Sequence, residues 1–457
     1  MNKPFFLIVS LFFPFVDFLY ILQLEEYDFR QFFKWIRNKW WKRNFQKVGQ
    51  VIWTKKLIIL FAIAVILYLV SIIISFKILN FWYLKIIGLI LVTIFIPLHV
   101  ILAASIFLPV DIFIKRQIIN KARQKLGGLS KCIIITIAGS HGKSTTRFFL
   151  FQILQNKYNV HTPDGNINTF FGLAQDILKN LNEETEVYVV EFGESRRGDF
   201  KKFFKLISRQ TIAVLTAVGS QHLSLFGSQD AIDQEFLFFL NLTKAERILV
   251  NDDNEGVRRV AKMCNRGVEK YSNEDVFSFL SQESLPDSLK IEHIRQNAGA
   301  AVKIAKILNI ETKTIKEQLY KLETFERRVK LTKVNDILII DDSYNINPES
   351  ARAALEYLST FYDKRKILIT GGIVEQGEYS LLKNLEYGIQ ISKIVDVAIV
   401  ANNNFVNPVC QGIKKSEKKL QIIISKHPAE TQQILQRILK ANDVILIQNE
   451  LPDLYWN

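Results

Sequence analysis

This sequence of 457 residues has almost no cysteine: Cys132, Cys264 and Cys410 lie far apart, without a CxxC spacing. That spacing excludes a disulfide framework and a zinc ribbon, and a reducing cytoplasmic setting suits the body of the chain. Internal repeats and low-complexity segments are missing as well, which excludes solenoids and disordered arrays. A secretory signal is not encoded, because only Lys3 precedes the first apolar run and no small-residue cleavage site follows it. What is present is length enough for two or three domains. Hydrophobic residues make up 49% of the chain and are concentrated in its first quarter. The remainder has the balance of an ordinary soluble enzyme.

Charge is uneven, with 59 Lys and Arg against 45 Asp and Glu, a formal net charge of +14. Such an excess serves a nucleic acid or a membrane surface, and its distribution decides between them. Residues 24–56 hold nine basic side chains against three acidic ones, interleaved with Trp35, Trp40, Trp41 and Trp53. Tryptophan settles at headgroup depth while Lys and Arg meet anionic lipid. An RNA-binding arm would use the same residues, but apolar runs flank this one on both sides. The lipid bilayer is therefore the expected partner, and nucleic acid is not. Residues 57–76 and 86–109 each reach the ~20 residues that cross ~30 Å of hydrocarbon, the second interrupted only by Pro97 and His99. Residues 5–22 are apolar but carry Pro14 and Asp17; a third span is favoured there over a re-entrant or interfacial piece. Three spans place the 24–56 loop in the cytoplasm with the cluster Lys115, Arg116, Lys121, Arg123 and Lys125, and leave the 77–85 turn outside. The expectation is a multi-pass protein of the cytoplasmic membrane, with a membrane segment over 1–127 and catalytic domains in the cytoplasm.

Residues 132–137 (CIIITI) read as a buried strand, followed by AGSHGKSTT at 138–146 and an apolar helical run at 148–154. Strand, glycine turn and helix is the arrangement that holds a phosphate. Gly139 and Gly142 let the loop through Ser140 and His141 to Thr145 turn its N–H groups inward, Lys143 reaches the outer phosphates, and Ser144 can ligate magnesium. The strict GxxxxGK[ST] spacing is not met, since Ile137 stands at its first glycine, and the shorter GxxGKS remains. Structural coincidence is the competing reading of so short a pattern; the strand-to-helix context argues against it. Residues 187–190 form an apolar strand that delivers Glu191 to its carboxyl end, where ligands bind in open α/β sheets. Residues 211–218 form another, leading to His222. Taken alone, Glu191 would be a solvated acid and His222 a turn residue or cap.

Further blocks read TPDGNINTFFG at 162–172, VVEFG at 189–193, VGSQHLSLFGS at 218–228, NDD at 251–253, GGIVEQG at 371–377 and, longest, DDSYNINPESARAAL at 341–355. On these blocks the chain, from about residue 130 onward, resembles the Mur ligases, ATP-dependent ligases of peptidoglycan precursor synthesis, and most closely their D-alanyl-D-alanine-adding branch. The resemblance implies an α/β fold in which the transmembrane helices precede a P-loop-type central domain at 128–312 and a Rossmann-like C-terminal domain at 313–457. Strands expected at 247–251, 337–340, 366–370, 396–401, 421–424 and 443–448 agree with that organisation.

The resemblance also implies the chemistry. The γ-phosphoryl group of ATP moves to a substrate carboxylate, and an amine attacks the acyl phosphate to give an amide. ATP and Mg2+ are the implied cofactors, with Ser144, Glu191 and His222 on the metal and Lys143, Glu191 and His222 catalytic. Asn297 matches an adenine contact, with His293 just upstream. Arg328, or its neighbour Arg327, matches a phosphate contact, and Asp342 and Asn345 match nucleotide positions. Asn166, Asn168 and Thr169 match acceptor contacts. Glu375 is either an amino-acid contact or a solvated loop acid.

Three departures stand out. The domain with which the family holds a uridine nucleotide is replaced by the membrane segment. The lysine that many members carbamylate falls near Glu235 and Phe236, with Lys244 the nearest lysine downstream, so Glu235 is expected to supply the missing negative charge. The stretch from Tyr271 to Asn297 is short for the family. The leading expectation is addition of D-alanyl-D-alanine, or another amino acid or dipeptide, to a UDP-N-acetylmuramoyl-tripeptide-like cell-wall precursor. A lipid-linked or poly-γ-glutamate acceptor is the alternative ligase reading. A nucleotide-binding membrane scaffold without ligase activity is a third reading, with membrane-bound wall-synthesis proteins as its partners.

Overall fold

The structure, a computed structural model, describes residues 14–24, 27, 29–39, 51–165, 167–194, 196–220, 223–324, 329–344, 346–374, 376–415 and 420–449. Two compact units divide between Gln117 and Ile118.

The first unit holds helices α1 (Phe15–Leu24), α2 (Phe29–Lys39), α3 (Lys55–Ile78), α4 (Trp82–Ile94) and most of α5 (Ile96–Gly128). Helix α3 starts where the Thr54 hydroxyl accepts a hydrogen bond from Leu57 N–H at 3.2 Å. Helices α3 and α5 are long and apolar enough to cross a membrane, whereas α1 and α4 are shorter. Side chains such as Ile59, Ile66, Leu69 and Ile73 of α3 and Ile106 of α5 are exposed. Polar groups between the helices meet one another: Tyr68 with Thr93 at 3.0 Å, Ser71 with His99 Nε2 at 3.0 Å, and Asp111 with Lys56 and Lys115 at 3.1 and 2.9 Å. Against α5, Ser71 with His99 and Lys56 with Asp111 run in opposite order, and against α4, Tyr68 with Thr93 and Ser75 with Gly88 do the same, so α3 lies antiparallel to both and its basic start is level with Asp111. The stretch 86–109 differs from the single span expected. It breaks at Phe95, because the nitrogen of Pro97 cannot donate to the Thr93 carbonyl, and α5 then continues through Pro109 to Gly128. Residues 1–13, Trp40 and Trp41 lie outside the described residues.

The second unit carries two six-stranded sheets. The first contains β1 (Ile133–Ala138), β2 (Val160–His161), β3 (Val187–Glu191), β4 (Ile212–Leu215), β5 (Arg247–Asn251) and β6 (Glu269–Tyr271), all parallel in the order β2-β3-β1-β4-β5-β6. Its strands are apolar runs without alternation because helices cover both faces: β3 and β4 are buried at every residue. Its principal helices are α6 (Lys143–Leu154), α7 (Phe170–Asn180), α8 (Asp199–Leu206), α9 (Gln229–Leu242) and α10 (Glu292–Ile307). The second sheet contains β7 (Lys330–Val334), β8 (Ile337–Asp342), β9 (Lys366–Thr370), β10 (Val397–Ala401), β11 (Gln421–Ser425) and β12 (Val444–Gln448), ordered β11-β10-β9-β12-β8-β7. Only β7 is antiparallel to its neighbour, and it forms an edge with Lys330 and Lys333 exposed. Helix α11 (Pro348–Ser359) follows β8 and opens with a capping box between Asn347 and Ser350.

The α/β expectation holds for this unit. Strand β4 stops at Leu215 rather than running to 218, because Thr216 turns aside: its N–H still donates to Ala138 at 2.9 Å, while its carbonyl accepts from Asn251 Nδ2 at 2.9 Å. Strands β2, β6 and β7 were not expected; they are short or charged edges that carry little hydrophobic signal.

Candidate functional site

The sheet order reverses at β1, with β3 and β2 on one side and β4, β5 and β6 on the other. Ligands of open parallel sheets bind beyond the carboxyl ends of the strands at such a point. The glycine turn occupies it. A Cβ on Gly139, at φ +147°, would lie 2.2 Å from Thr216 Oγ1, and one on Gly142, at φ +83°, would lie 2.3 Å from Asn297 Oδ1. Both positions therefore require glycine. The turn is fastened to the end of β4: Ser140 N–H donates to Ala217 O at 2.8 Å, Gly219 N–H donates to Ser140 Oγ at 2.9 Å, and Thr216 Oγ1 donates to His141 O at 2.5 Å. Helix α6 then starts at Lys143, with Ser144 and Thr145 in its first turn. Its free N–H groups and dipole face the space beyond the sheet.

Four charges gather around this helix start, with Arg147, Glu191 and Glu194 buried and Lys143 partly so. Lys143 Nζ lies 3.2 Å from Glu194 Oε1 and also donates to Gly139 O. One turn later, Arg147 donates to the carbonyls of Pro163 and Gly165, the latter at 2.6 Å, and its Nε stands 4.0 Å from Glu191 Oε2. Glu191 is 1% exposed, yet neither of its oxygens accepts a hydrogen bond among the described residues. A desolvated carboxylate left in that state costs several kcal/mol. It fits a hard divalent cation, and Ser144 is the second oxygen donor on the adjoining helix. Magnesium therefore suits the residues present, although no cluster of three or more His, Cys, Asp or Glu ligands occurs among the described residues. His222 lies outside them.

Beside the turn, a cleft of about 720 Å³ is lined by His141, Asp253, His293 and Gln296 on one wall and by Glu349 and Tyr357 of α11 on the other. Asn297 is buried against Gly142. Burial pushes the Tyr357 hydroxyl up to about 12 and raises the Asp253 carboxyl above the usual carboxylate value, although Asn273 N–H donates to it. Asp342 ends β8 in a buried chain: Gln448 Nε2 donates to it at 3.3 Å, and Tyr387 donates to Gln448 at 2.7 Å.

The acceptor-side residues are placed less directly. Asn168 packs on Gly193, which follows Glu191 closely, and its carbonyl accepts from Gly193 N–H at 2.9 Å. The Thr169 hydroxyl caps α7 by accepting from Gly172 N–H at 3.2 Å. Asn166, Arg327, Arg328, Asn345 and Glu375 lie outside the described residues.

Glu235 does other work than expected. Its two oxygens accept from Gly198 N–H at 2.9 Å and Phe200 N–H at 3.3 Å, closing the start of α8. Both oxygens are already taken by backbone donors, so Glu235 serves as a helix cap rather than a replacement for a carbamylated lysine.

Residues 137–319 match the Mur ligase middle domain, and residues 327–448 match the Mur ligase, glutamate ligase domain. The chain belongs to the Mur ligase family. A UDP-N-acetylmuramoyl-tripeptide–D-alanyl-D-alanine ligase of Bacillus subtilis (strain 168) is 27% identical over 325 residues, covering 67% of this chain and 69% of that one. The enzyme of the same name from Synechocystis sp. is 27% identical over 272 residues, 57% of this chain and 60% of its own length. The crystal structure of MurF ligase from Thermotoga maritima in complex with ADP superposes with a TM-score of 0.59 at 26% identity, over 73% of this chain and 80% of that one.

In this Mur ligase the structure brings Gly139 to Thr145, Glu191 and Asn297 together around one helix start. Arg147, Glu194 and Thr216 belong there too and were missed in the sequence. Arg147 had a signal, as a charge leading directly into the apolar run Phe148, Phe149, Leu150. Glu194 had none, since ESRRGD reads as a solvated charge run.

Two outcomes are expected. Glu235→Ala removes the cap of α8 and lowers stability by about 1–2 kcal/mol in urea unfolding, while the Mg2+ dependence of nucleotide binding stays unchanged; a raised Mg2+ requirement would restore the metal role. The raised pKa of Asp253 means that the folded state holds its proton more tightly. Its stabilising contribution is present below the unfolded value and lost as pH rises through the folded one. Asp253→Asn should accordingly raise Tm at pH 7, and the gain should vanish below pH ~4.

Proposed function

We propose that this Mur ligase is an ATP-dependent amide-forming ligase working at the cytoplasmic face of a membrane on a cell-wall peptide precursor. The single observation that carries the reading is the buried Glu191, without hydrogen bonds, beside the start of α6, where the glycine turn is fixed by β4 and flanked by Asn297. A metal bound there would supply Lewis-acid stabilisation of the phosphoryl oxygens. The chain's own residues do the rest. The N–H groups at the start of α6 and the Lys143 ammonium hold the phosphates, and the cleft beneath α11 takes the base and ribose. The γ-phosphoryl group passes to a substrate carboxylate, ADP leaves, and an amine displaces phosphate from the acyl phosphate to form the amide. A protein nucleophile is not needed.

By likeness to the D-alanyl-D-alanine ligases named above, the first pair to try is a UDP-N-acetylmuramoyl-tripeptide and D-alanyl-D-alanine. The helical unit favours one second reading, a lipid-linked acceptor: α3 and α5 expose apolar side chains along their length, and Lys56, Asp111 and Lys115 pair at one level. Such a charged girdle belongs at a headgroup layer rather than inside hydrocarbon. We read this unit as a membrane anchor for the same reasons.

The test is ADP release by detergent-solubilised full-length protein across a matrix of soluble, lipid-linked and poly-γ-glutamate acceptors with amino acids and dipeptides. One pair should give release that falls at least ~100-fold in Lys143→Ala. If no pair responds while ADP still binds, the scaffold reading takes over. Before solubilisation, the protein should sediment with membranes and resist carbonate extraction; release by carbonate would overturn the anchor.

A further inference from the structure

The loop from β2 to α7 carries Asn166, Asn168 and Thr169, which the resemblance assigns to the acceptor. Apolar packing does little to hold it: Pro163 is buried, but Asp164, Gly165, Ile167 and Thr169 are exposed. A segment of that kind opens readily unless hydrogen bonds tie it down. Within the loop, Ile167 N–H donates to Asp164 O at 3.2 Å. At its far end, Gly193 N–H donates to Asn168 O at 2.9 Å, two residues beyond Glu191. At its near end, Arg147 donates to the carbonyls of Pro163 and Gly165. Asn166 follows directly after that second carbonyl.

Arg147 is 3% exposed and stands on α6 one helical turn beyond Lys143. Its Nε lies 4.0 Å from Glu191 Oε2, beyond hydrogen-bond length, while Nη1 and Nη2 take the two loop carbonyls. A cation near the start of a buried helix is opposed both by the helix dipole and by desolvation, so stability alone would favour an apolar side chain. Lysine would keep the charge beside Glu191 equally well. What the planar fork of arginine adds is donation to two carbonyls at once, and these carbonyls bracket Asp164 at the head of the loop. Gly165 lies at φ +53°, in the left-handed region that such a turn requires.

We propose that Arg147 is a positioning residue that fastens the acceptor loop to the phosphate-binding helix, so that nucleotide held at the start of α6 orders the loop as well. Arg147 acts through the two carbonyls and needs contact with neither ligand. Whatever stiffens the first turns of α6 stiffens the loop, and an acceptor that orders the loop returns the effect to the nucleotide. The identity of the two ligands rests on the ligase reading above; the linkage of helix to loop does not.

Hydrogen exchange read by mass spectrometry tests that linkage without turnover, on the full chain in detergent with and without ADP and Mg2+. In the wild type, peptides covering 143–150 and 160–169 should both exchange more slowly when ADP and Mg2+ are present; protection of 143–150 alone would overturn the proposal. Arg147→Lys should bind ADP within about threefold of the wild type yet exchange about tenfold or more faster at 160–169, because a hydrogen bond from a charged donor is lost. ADP should no longer slow that stretch. Unchanged loop exchange in the variant would overturn the proposal, and faster exchange spread equally through β1 and β3 would reduce Arg147 to a structural role. If Arg147→Lys does not fold, the wild-type comparison still decides. With UDP-N-acetylmuramoyl-tripeptide and D-alanyl-D-alanine, or the pair that ADP release selects, Arg147→Lys should raise KM for the acceptor about tenfold and leave KM for ATP near the wild-type value; an equal rise in both would count against positioning. Failure of the wild type to bind ADP at all would sink the ligase reading, whereas loop exchange in nucleotide-free Arg147→Lys would still decide whether Arg147 holds the loop.

Discussion

Opposed charges held out of water at the carboxyl ends of β1 and β3 are the constraint around which the second unit is arranged. Parallel pairing sets Ile137 beside Glu191, so the strand that leads into the glycine turn also fixes the height of the carboxylate. Helical spacing sets Arg147 one turn beyond Lys143, facing the same strand end. Neither pair would be retained for stability alone, because an apolar substitute of similar volume usually does as well or better than a buried ion pair. Glu191 in particular lacks the hydrogen bonds that normally accompany a buried carboxylate. A site that keeps such groups has a use for the charge.

The glycine turn reached this arrangement through two contacts that only glycine permits. Thr216 and Asn297 come close enough to Gly139 and Gly142 to touch any side chain there. They bring β4 and α10 against the phosphate loop, so the walls of the nucleotide cleft are positioned by the loop itself. Helix α11, capped by Asn347 and Ser350, closes the cleft from the second sheet, with Glu349 Oε1 accepting from Ser220 Oγ at 3.5 Å. The glycines of the phosphate loop thus also position β4 and α10 around it.

Much of this was legible in the sequence, and the rest was not for physical reasons. Apolar runs bounded by glycine and polar turns announced the central strands, and β5 and β9 fall where those runs do. The glycine turn and Glu191 could be read because strand, turn and carboxylate follow one another along the chain. Edge strands such as Glu269–Tyr271 and Lys330–Val334 carry charge and little hydrophobic pattern. The task of Glu235 depends on a long-range meeting with Gly198 and Phe200, and Glu194 likewise meets Lys143 only through the fold. Sequence spacing holds no record of such contacts. The break at Phe95 illustrates the opposite case: Pro97 announced it, but the apolar run around it outweighed one missing hydrogen bond in the reading.

If the helical unit is the anchor proposed above, it bears on the acceptor through concentration. A protein confined to a membrane meets other membrane-borne molecules at an effective concentration that a short tether can raise to about the millimolar range. Under that condition a ligase can work on a weakly held acceptor, because binding energy for the distal part of the substrate is no longer needed to bring it to the site. A soluble nucleotide-linked acceptor gains nothing from the same confinement and has to be held by the catalytic unit itself. The two acceptor classes therefore make different demands on the catalytic unit, which the surface around Asn168 and Gly193 would meet if it is the acceptor site. Strong binding of a soluble tripeptide precursor there would make the anchor incidental to substrate choice, while weak binding would make it the means by which the enzyme selects its substrate.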